Sequence, residues 1–281
     1  MDNILSAYNN VEHFNSAPVS GGFKISRSRN ITIQNSSFDI NYGVGVWVDE
    51  SSYDTKIVNN TMVNNTKHGI SIEISAKTTI ANNYIARNSS SGIKINDVNG
   101  AKIYNNTITD NIGRPLNIVQ DTRRATNLST PGHDTRQKLP DATVTWINSN
   151  IVVSNNILGG TTNNYLLCVE DYSKTFTAAQ IIKSTNGNVY QRDTATTPAK
   201  VIIWSGGTVG ATTYKTVADF SKSIGQETTG LELTGAEAVT PSGTPTASVT
   251  NSAARTAQAL PADLASLIGQ PVGTKHLGVF R

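Results

Sequence analysis

Along the first half of the chain, apolar and polar residues alternate in short bursts that recur at a nearly fixed interval. Four bursts open on glycine: GFKIS from Gly22, GVWVD from Gly45, GISIE from Gly69 and GIKIN from Gly92. In each, the residues one and three after the glycine are apolar: Phe23 and Ile25, Val46 and Val48, Ile70 and Ile72, Ile93 and Ile95. A period of two predicts a strand with one buried face, so these side chains point inward and their neighbours outward. A second kind of burst carries an asparagine: ITIQNSSF ending at Phe38, KIVNNTM at Met62, TIANNYI at Ile85, KIYNNTI at Ile108 and VVSNNIL at Leu158.

Aligning Asn35, Asn59, Asn82 and Asn105 gives a repeat of about 23 residues. Ile33, Ile57, Ile80 and Ile103 then stand two residues before the asparagine, and Val153 does so before Asn155. Phe38, Met62, Ile85, Ile108 and Leu158 stand three after, and Asn41, Asn65, Asn88 and Asn111 six after. Less regular copies follow in LNIVQ from Leu116 and LCVED from Leu167. A unit this short cannot bury its apolar face alone, so the coils must stack into parallel sheets. The recurring asparagines are then expected to form an internal ladder of amides bonded from coil to coil.

In these residues the chain resembles the right-handed parallel β-helix proteins of the pectate-lyase type, over roughly residues 1 to 205. The fold class expected is all-β, a right-handed parallel β-helix with an irregular C-terminal cap containing short helices. Leucine-rich repeats, the rival solenoid, need a leucine spacing and a helical segment that are missing here. The expected organisation is coils over 1–175 with an insertion at 122–143, then closing coils, a loop-rich tail and a short helical cap over 176–281. Helices are predicted around Val217 to Ile224 and from Leu260 to Leu267. Extending the repeat backwards puts Asp2 at the ladder position, so the chain is expected to open mid-coil and to offer an end for end-to-end association.

Composition fits this reading. The chain has 281 residues, of which 30 are asparagine and 35 threonine, with 15% charged residues and one cysteine. A disulfide framework and a cysteine-rich metal site are excluded. A net charge of +3 spread over this length gives no nucleic-acid signature, and no stretch is apolar enough for membrane insertion. The Asn-x-Ser/Thr triplets fall at the same point of every coil and are read as ladder positions, not glycosylation sites.

The outward residues carry the candidate chemistry. One column reads Lys24, Trp47, Ser71, Lys94, Asn117, and the next reads Ser26, Asp49, Glu73, Asn96, with Glu170 as a later member. Arg27, Glu50, Asp97 and Asp121 follow directly downstream, and the insertion adds Arg123, Arg124, His133, Arg136 and Lys138 to nearby Arg114. Adjacent rungs lie about 4.8 Å apart, so Asp49 and Glu73 should stand close enough to share a proton, hold Ca²⁺ or act as a catalytic pair. Exposed Trp47 offers a stacking surface for a sugar ring. Polysaccharide is the expected partner, bound by Lys24, Arg27, Trp47, Glu50, Asn96, Asn117, Asp121 and Arg123.

Resemblance to the β-helix family implies a secreted protein acting on glycans. A lyase would use Lys94 as base, Arg114 or Arg123 as the partner of the uronate carboxylate, and Ca²⁺ at Asp49 and Glu73. A glycoside hydrolase would use Asp49 and Glu73 as acid and nucleophile. A uronate epimerase would need an Asp-rich motif with a nearby histidine, a setting in which none of His13, His68, His133 and His276 stands, and a non-catalytic glycan-binding solenoid is the remaining reading. The calcium motif of pectate lyases and the paired aspartates of polygalacturonases are absent, so no family residue role transfers directly. His68, before Gly69, is read as a coil-corner residue, and Cys168 as an incidental outward residue beside Glu170.

Overall fold

The computed structural model describes residues 1–14, 21–137, 141–160 and 165–280. Lys138, one of the basic residues of the insertion, lies outside them.

Three sheets run the length of a parallel solenoid. The first stacks Gly21–Ser26, Val44–Asp49, Ile70–Glu73, Ile93–Asn96, Leu116–Gln120, Leu167–Asp171 and Ile202–Ser205, and closes on the antiparallel strand Ala211–Tyr214. The second runs from Leu5–Ala7 to Leu231–Thr234, and the third from Thr32–Gln34 to Ile182–Asn186. Registers follow the sequence columns. Ile33, Ile57, Ile80, Ile103 and Val153 pair in succession, as do Phe38, Met62, Ile85, Ile108 and Leu158. All ten side chains are buried without measurable exposure, each contributing roughly 1.5–3 kcal/mol by leaving water. The glycine column marks close packing: a Cβ on Gly69 would sit 2.5 Å from Ile85 Cγ2.

The asparagine ladder runs one residue later than the repeat alignment suggests. Asn60, Asn83, Asn106, Asn156 and Asn188 are buried, and each Nδ2 donates to the next Oδ1 at 2.9–3.1 Å. Asn35, Asn59, Asn82, Asn105 and Asn155 instead turn the corner at φ between 51° and 61°. Asparagine enters that left-handed region at lower cost than most residues. A second ladder, buried from Asn41 onward, joins Asn9, Asn41, Asn65, Asn88 and Asn111, each step 2.9 Å.

Towards the C-terminus the helix Val217–Ile224, capped by the Thr216 hydroxyl, packs Phe220 against Trp204 and closes the apolar interior. The helix Ala262–Leu267 takes a different place. It lies on the flank of the solenoid, with Leu260, Leu264 and Ala265 against Val58 and Ala81. Among the described residues no helix is long and apolar enough to cross a membrane.

Candidate functional site

The outer face of the first sheet gathers the charged side chains into three groups. Lys24, Trp47 and Asp49 form one: Lys24 Nζ lies 2.8 Å from Asp49 Oδ2 and 3.6 Å from the centre of the Trp47 ring. The Trp47 face that a sugar would stack on is therefore covered by the lysine. Arg27 and Glu50, both at left-handed corners, pair beside it at 3.2 Å.

A second group surrounds Arg123, the start of the insertion. Its Nη2 lies 2.8 Å from Glu73, 2.8 Å from Asp121 and 3.1 Å from Asp97. The Asp97 contact lacks hydrogen-bond alignment, so it is Coulombic only. Burial, then a hydrogen bond shared with Asp121, pushes the Asp97 carboxyl up to about 8, so it is protonated at neutral pH. Burial also acts on Asp121, but the bonds from Arg123 and Asp97 outweigh it and bring that carboxyl down to about 2. Asp97 is fully buried, and its Oδ1 accepts from Gln120 Nε2 and the Asp121 amide.

This geometry corrects the expectation of a paired acidic centre. Asp49 and Glu73 stand in one column on neighbouring rungs, yet each faces a cation of the protein, Lys24 or Arg123. Each carboxylate is thus paired with a cation of the protein and not with the other carboxylate. Beyond Arg123 the described residues of the insertion are tied along the coil corners. Asp134 pairs with Arg29 at 2.8 Å and with Arg136 at 2.8 Å, and Ser51 donates to the Gly132 carbonyl. Arg136 also donates to the Arg27 carbonyl.

The third group lines a groove of about 530 Å³. Lys94, Asn96, Arg114 and Asn117 enter it from the sheet and its edge, His68 from the preceding coil corner, and Tyr165 and Tyr172 from beyond the insertion. Arg114 Nη1 donates to Glu170 at 2.5 Å and to Asn117 Oδ1 at 3.1 Å, and contacts Cys168 Sγ at 2.6 Å. Cys168 does stand in the outward column, between Asn117 and Ile203, but it is covered and bonded to Glu170. Burial leaves its thiol well above the usual range, with Arg114 opposing the rise and Glu170 adding to it. Burial and the adjacent Glu170 likewise raise the Tyr172 phenol.

His68 Nδ1 accepts the Ser91 amide at 3.2 Å, and burial followed by Lys94 and Lys67 lowers its pKa to about 4. The ring is neutral at pH 7, with its proton on Nε2. Among the described residues Lys94 has no ion-pair partner and no carboxylate lines the groove. Of the expected site residues, Lys94, Asn96, Arg114 and Asn117 come together here, while Asp49, Lys24, Trp47, Arg27 and Glu50 do not. Tyr165 and Tyr172 were not expected; they flank the strand Leu167–Asp171 just outside the repeat columns, which carry no register for them.

Residues 2–128 match the model of NosD, a periplasmic copper-binding protein. Copper selects imidazole, thiolate and thioether donors. Here the four histidines are dispersed: His13 beside Tyr42, His68 in the groove, His133 stacked on Trp146 and His276 on Phe280. Met62 is a core residue and Cys168 is held by Arg114 and Glu170. Among the described residues no three His, Cys, Asp or Glu side chains converge as metal ligands, so the donor set does not fit copper. No curated protein matches the chain. Among solved structures, the A-module of mannuronan C-5 epimerase AlgE6 from Azotobacter vinelandii aligns at 18% identity and a TM-score of 0.44. The alignment covers 67% of this chain and 52% of that one, about half its length. Three parallel sheets, columns in register and stacked amide ladders make the chain a right-handed parallel β-helix of stacked repeats.

Proposed function

We propose that this β-helix binds a uronate-containing polysaccharide on the first sheet and cleaves it by β-elimination in the Lys94 groove. The observation that carries the reading is the composition of that groove: an unpaired lysine, an arginine, a neutral histidine and two tyrosines, with no carboxylate among the described lining residues. Hydrolysis needs two carboxyl groups flanking the bond, and elimination does not.

In this reading Arg114, which is paired with Glu170 through Nη1, turns its remaining N–H groups to the uronate carboxylate, which acidifies the adjacent C5–H. Lys94 Nζ, as the base, takes that proton. The electron pair left by the C5–H bond forms the C4=C5 double bond as the C4–O4 bond breaks. Tyr172, whose raised pKa keeps it protonated, donates to the departing O4, and His68 Nε2–H donates to the sugar. The matched periplasmic family supports an extracytoplasmic setting, where such polymers are met.

The test is incubation with polygalacturonate and with alginate, following the absorbance of the unsaturated product. Wild type should generate it and Lys94→Ala should not. Binding without unsaturated product in the wild type would overturn elimination and leave a glycan-binding solenoid.

A further inference from the structure

We propose a second, non-catalytic site for the same class of polymer on the third sheet, where Lys56, Lys77 and Lys102 bind carboxylates of a polyuronate strand. The ligand class rests on the reading of the Lys94 groove; the site does not. These lysines line a groove of about 420 Å³ together with Asn30, Asp54 and Gly100. Thr32, Lys56, Thr79, Lys102 and Val152 pair in register along that sheet. Lys56 and Lys102 are two rungs apart, about 10 Å, a span that successive charged sugars of an extended polymer can match.

The corner column beside them points to Lys77. Asn30, Asp54, Lys77, Gly100 and Asn150 occupy equivalent corners with φ between 51° and 75°, and the amides of the first four each donate to a carbonyl of the next coil. Asparagine, aspartate and glycine adopt that conformation at least cost, and lysine does not. Gly100 has no side chain to fill the space over Lys77, whose atoms lie 3.9 Å from where its Cβ would be. The lysine is thus held in a costlier conformation, in a place kept open, with its ammonium 5.9 Å from the centre of the Tyr53 ring. Lys102 pairs with Asp263 at 2.5 Å, whereas Lys56 and Lys77 have no ion pair among the described residues. A polyanion would find two cations outside any ion pair among the described residues and one shared with an exposed carboxylate.

The experiment measures affinity for immobilised polygalacturonate at low salt, using the full chain. Lys56→Gln with Lys77→Asn removes both charges while giving the corner a residue that suits its conformation. About fivefold weaker binding is expected, a gap that closes as salt screens the charges. Turnover of a short uronate oligomer too small to reach this groove should be unchanged. Asp54→Asn should tighten polymer binding. Binding of the double variant within twofold of wild type would overturn the site, as would a loss confined to duplex DNA used as a second probe. If wild type fails to cleave any uronate yet the double variant loses polymer binding, this site stands and the elimination reading falls.

Discussion

His68 reaches across one coil to accept the backbone N–H of Ser91 through Nδ1, at 3.2 Å. That bond leaves the proton of the neutral ring on Nε2, so His68 serves the groove as a donor and not as a base. With its pKa lowered to about 4 by burial and by Lys94 and Lys67, the folded protein binds fewer protons here than the unfolded chain between pH 6.5 and 4. Stability from this residue is therefore lost as the pH falls through that window. His68→Gln should remove the loss: its melting temperature, compared with wild type at pH 7 and pH 4.5, should gain ground at the lower pH. Parallel curves for the two proteins would show that the ring charges freely and is not confined as described.

If Lys94 accepts the C5 proton, it acts on rate and not only on affinity. Lys94→Ala should lose at least about 100-fold in kcat, and Lys94→Arg should restore binding without restoring rate. Full activity in the arginine variant, or a loss in the alanine variant confined to KM, would assign Lys94 to carboxylate binding alone.

Arg123 faces three carboxyl groups at once, which makes it the anchor of the insertion. Removing it leaves Glu73 and Asp121 without their cation, and Arg123→Ala should cost about 3 kcal/mol in denaturant unfolding. Asp97 offers the complementary test. Its carboxyl is raised to about 8 in the folded protein, so the native state holds a proton that the unfolded chain releases near pH 4. The sign is then a stability that declines as the pH rises from 4 to 8, opposite to the contribution of Asp121 below pH 4. Asn at position 97 can keep accepting from Gln120 and the Asp121 amide, and can donate to the Asp121 carboxylate in place of the acid proton. Asp97→Asn should therefore match or exceed wild type at pH 8.5, with the advantage vanishing at pH 5; a variant less stable at both pH values would contradict a protonated Asp97.

How much of this could be read from the chain depends on which forces are local to one coil. The columns of Ile33, Ile57 and Ile80, or of Phe38, Met62 and Ile85, were legible because every coil must bury the same face. Lys94 and Asn117 were legible because the alternation assigns them outward. The pairing of Asp49 with Lys24 and of Glu73 with Arg123 was not: cross-coil neighbours compete for each carboxylate, and the column alone does not rank them. Asp97 reads as one more polar corner residue until the insertion covers it with Arg123 and the Trp146 segment, a tertiary effect. Tyr165 and Tyr172 reach the groove from either side of the strand Leu167–Asp171, just outside the repeat columns.

The doublet Asn59–Asn60 separates two reasons for choosing asparagine. Asn59 turns a partly exposed corner at φ 58°, where its amide accepts from Asn82 at 2.8 Å. Asn60 is buried: Oδ1 accepts the Ser36 amide at 2.9 Å, while Nδ2 donates to the Ile33 carbonyl at 3.0 Å and to Asn83 Oδ1 at 3.1 Å. Asn59→Gly keeps the corner conformation without strain and should cost less than about 1 kcal/mol. Asn60→Ala orphans a buried N–H and a buried carbonyl, and should cost about 2–4 kcal/mol. Denaturant midpoints of the two variants decide the matter, since adjacent residues of one type share composition and differ only in which way the amide faces. Equal costs would mean that the corner asparagines carry the ladder as much as the buried ones do, and that the repeat is held by its turns and not by its interior amides.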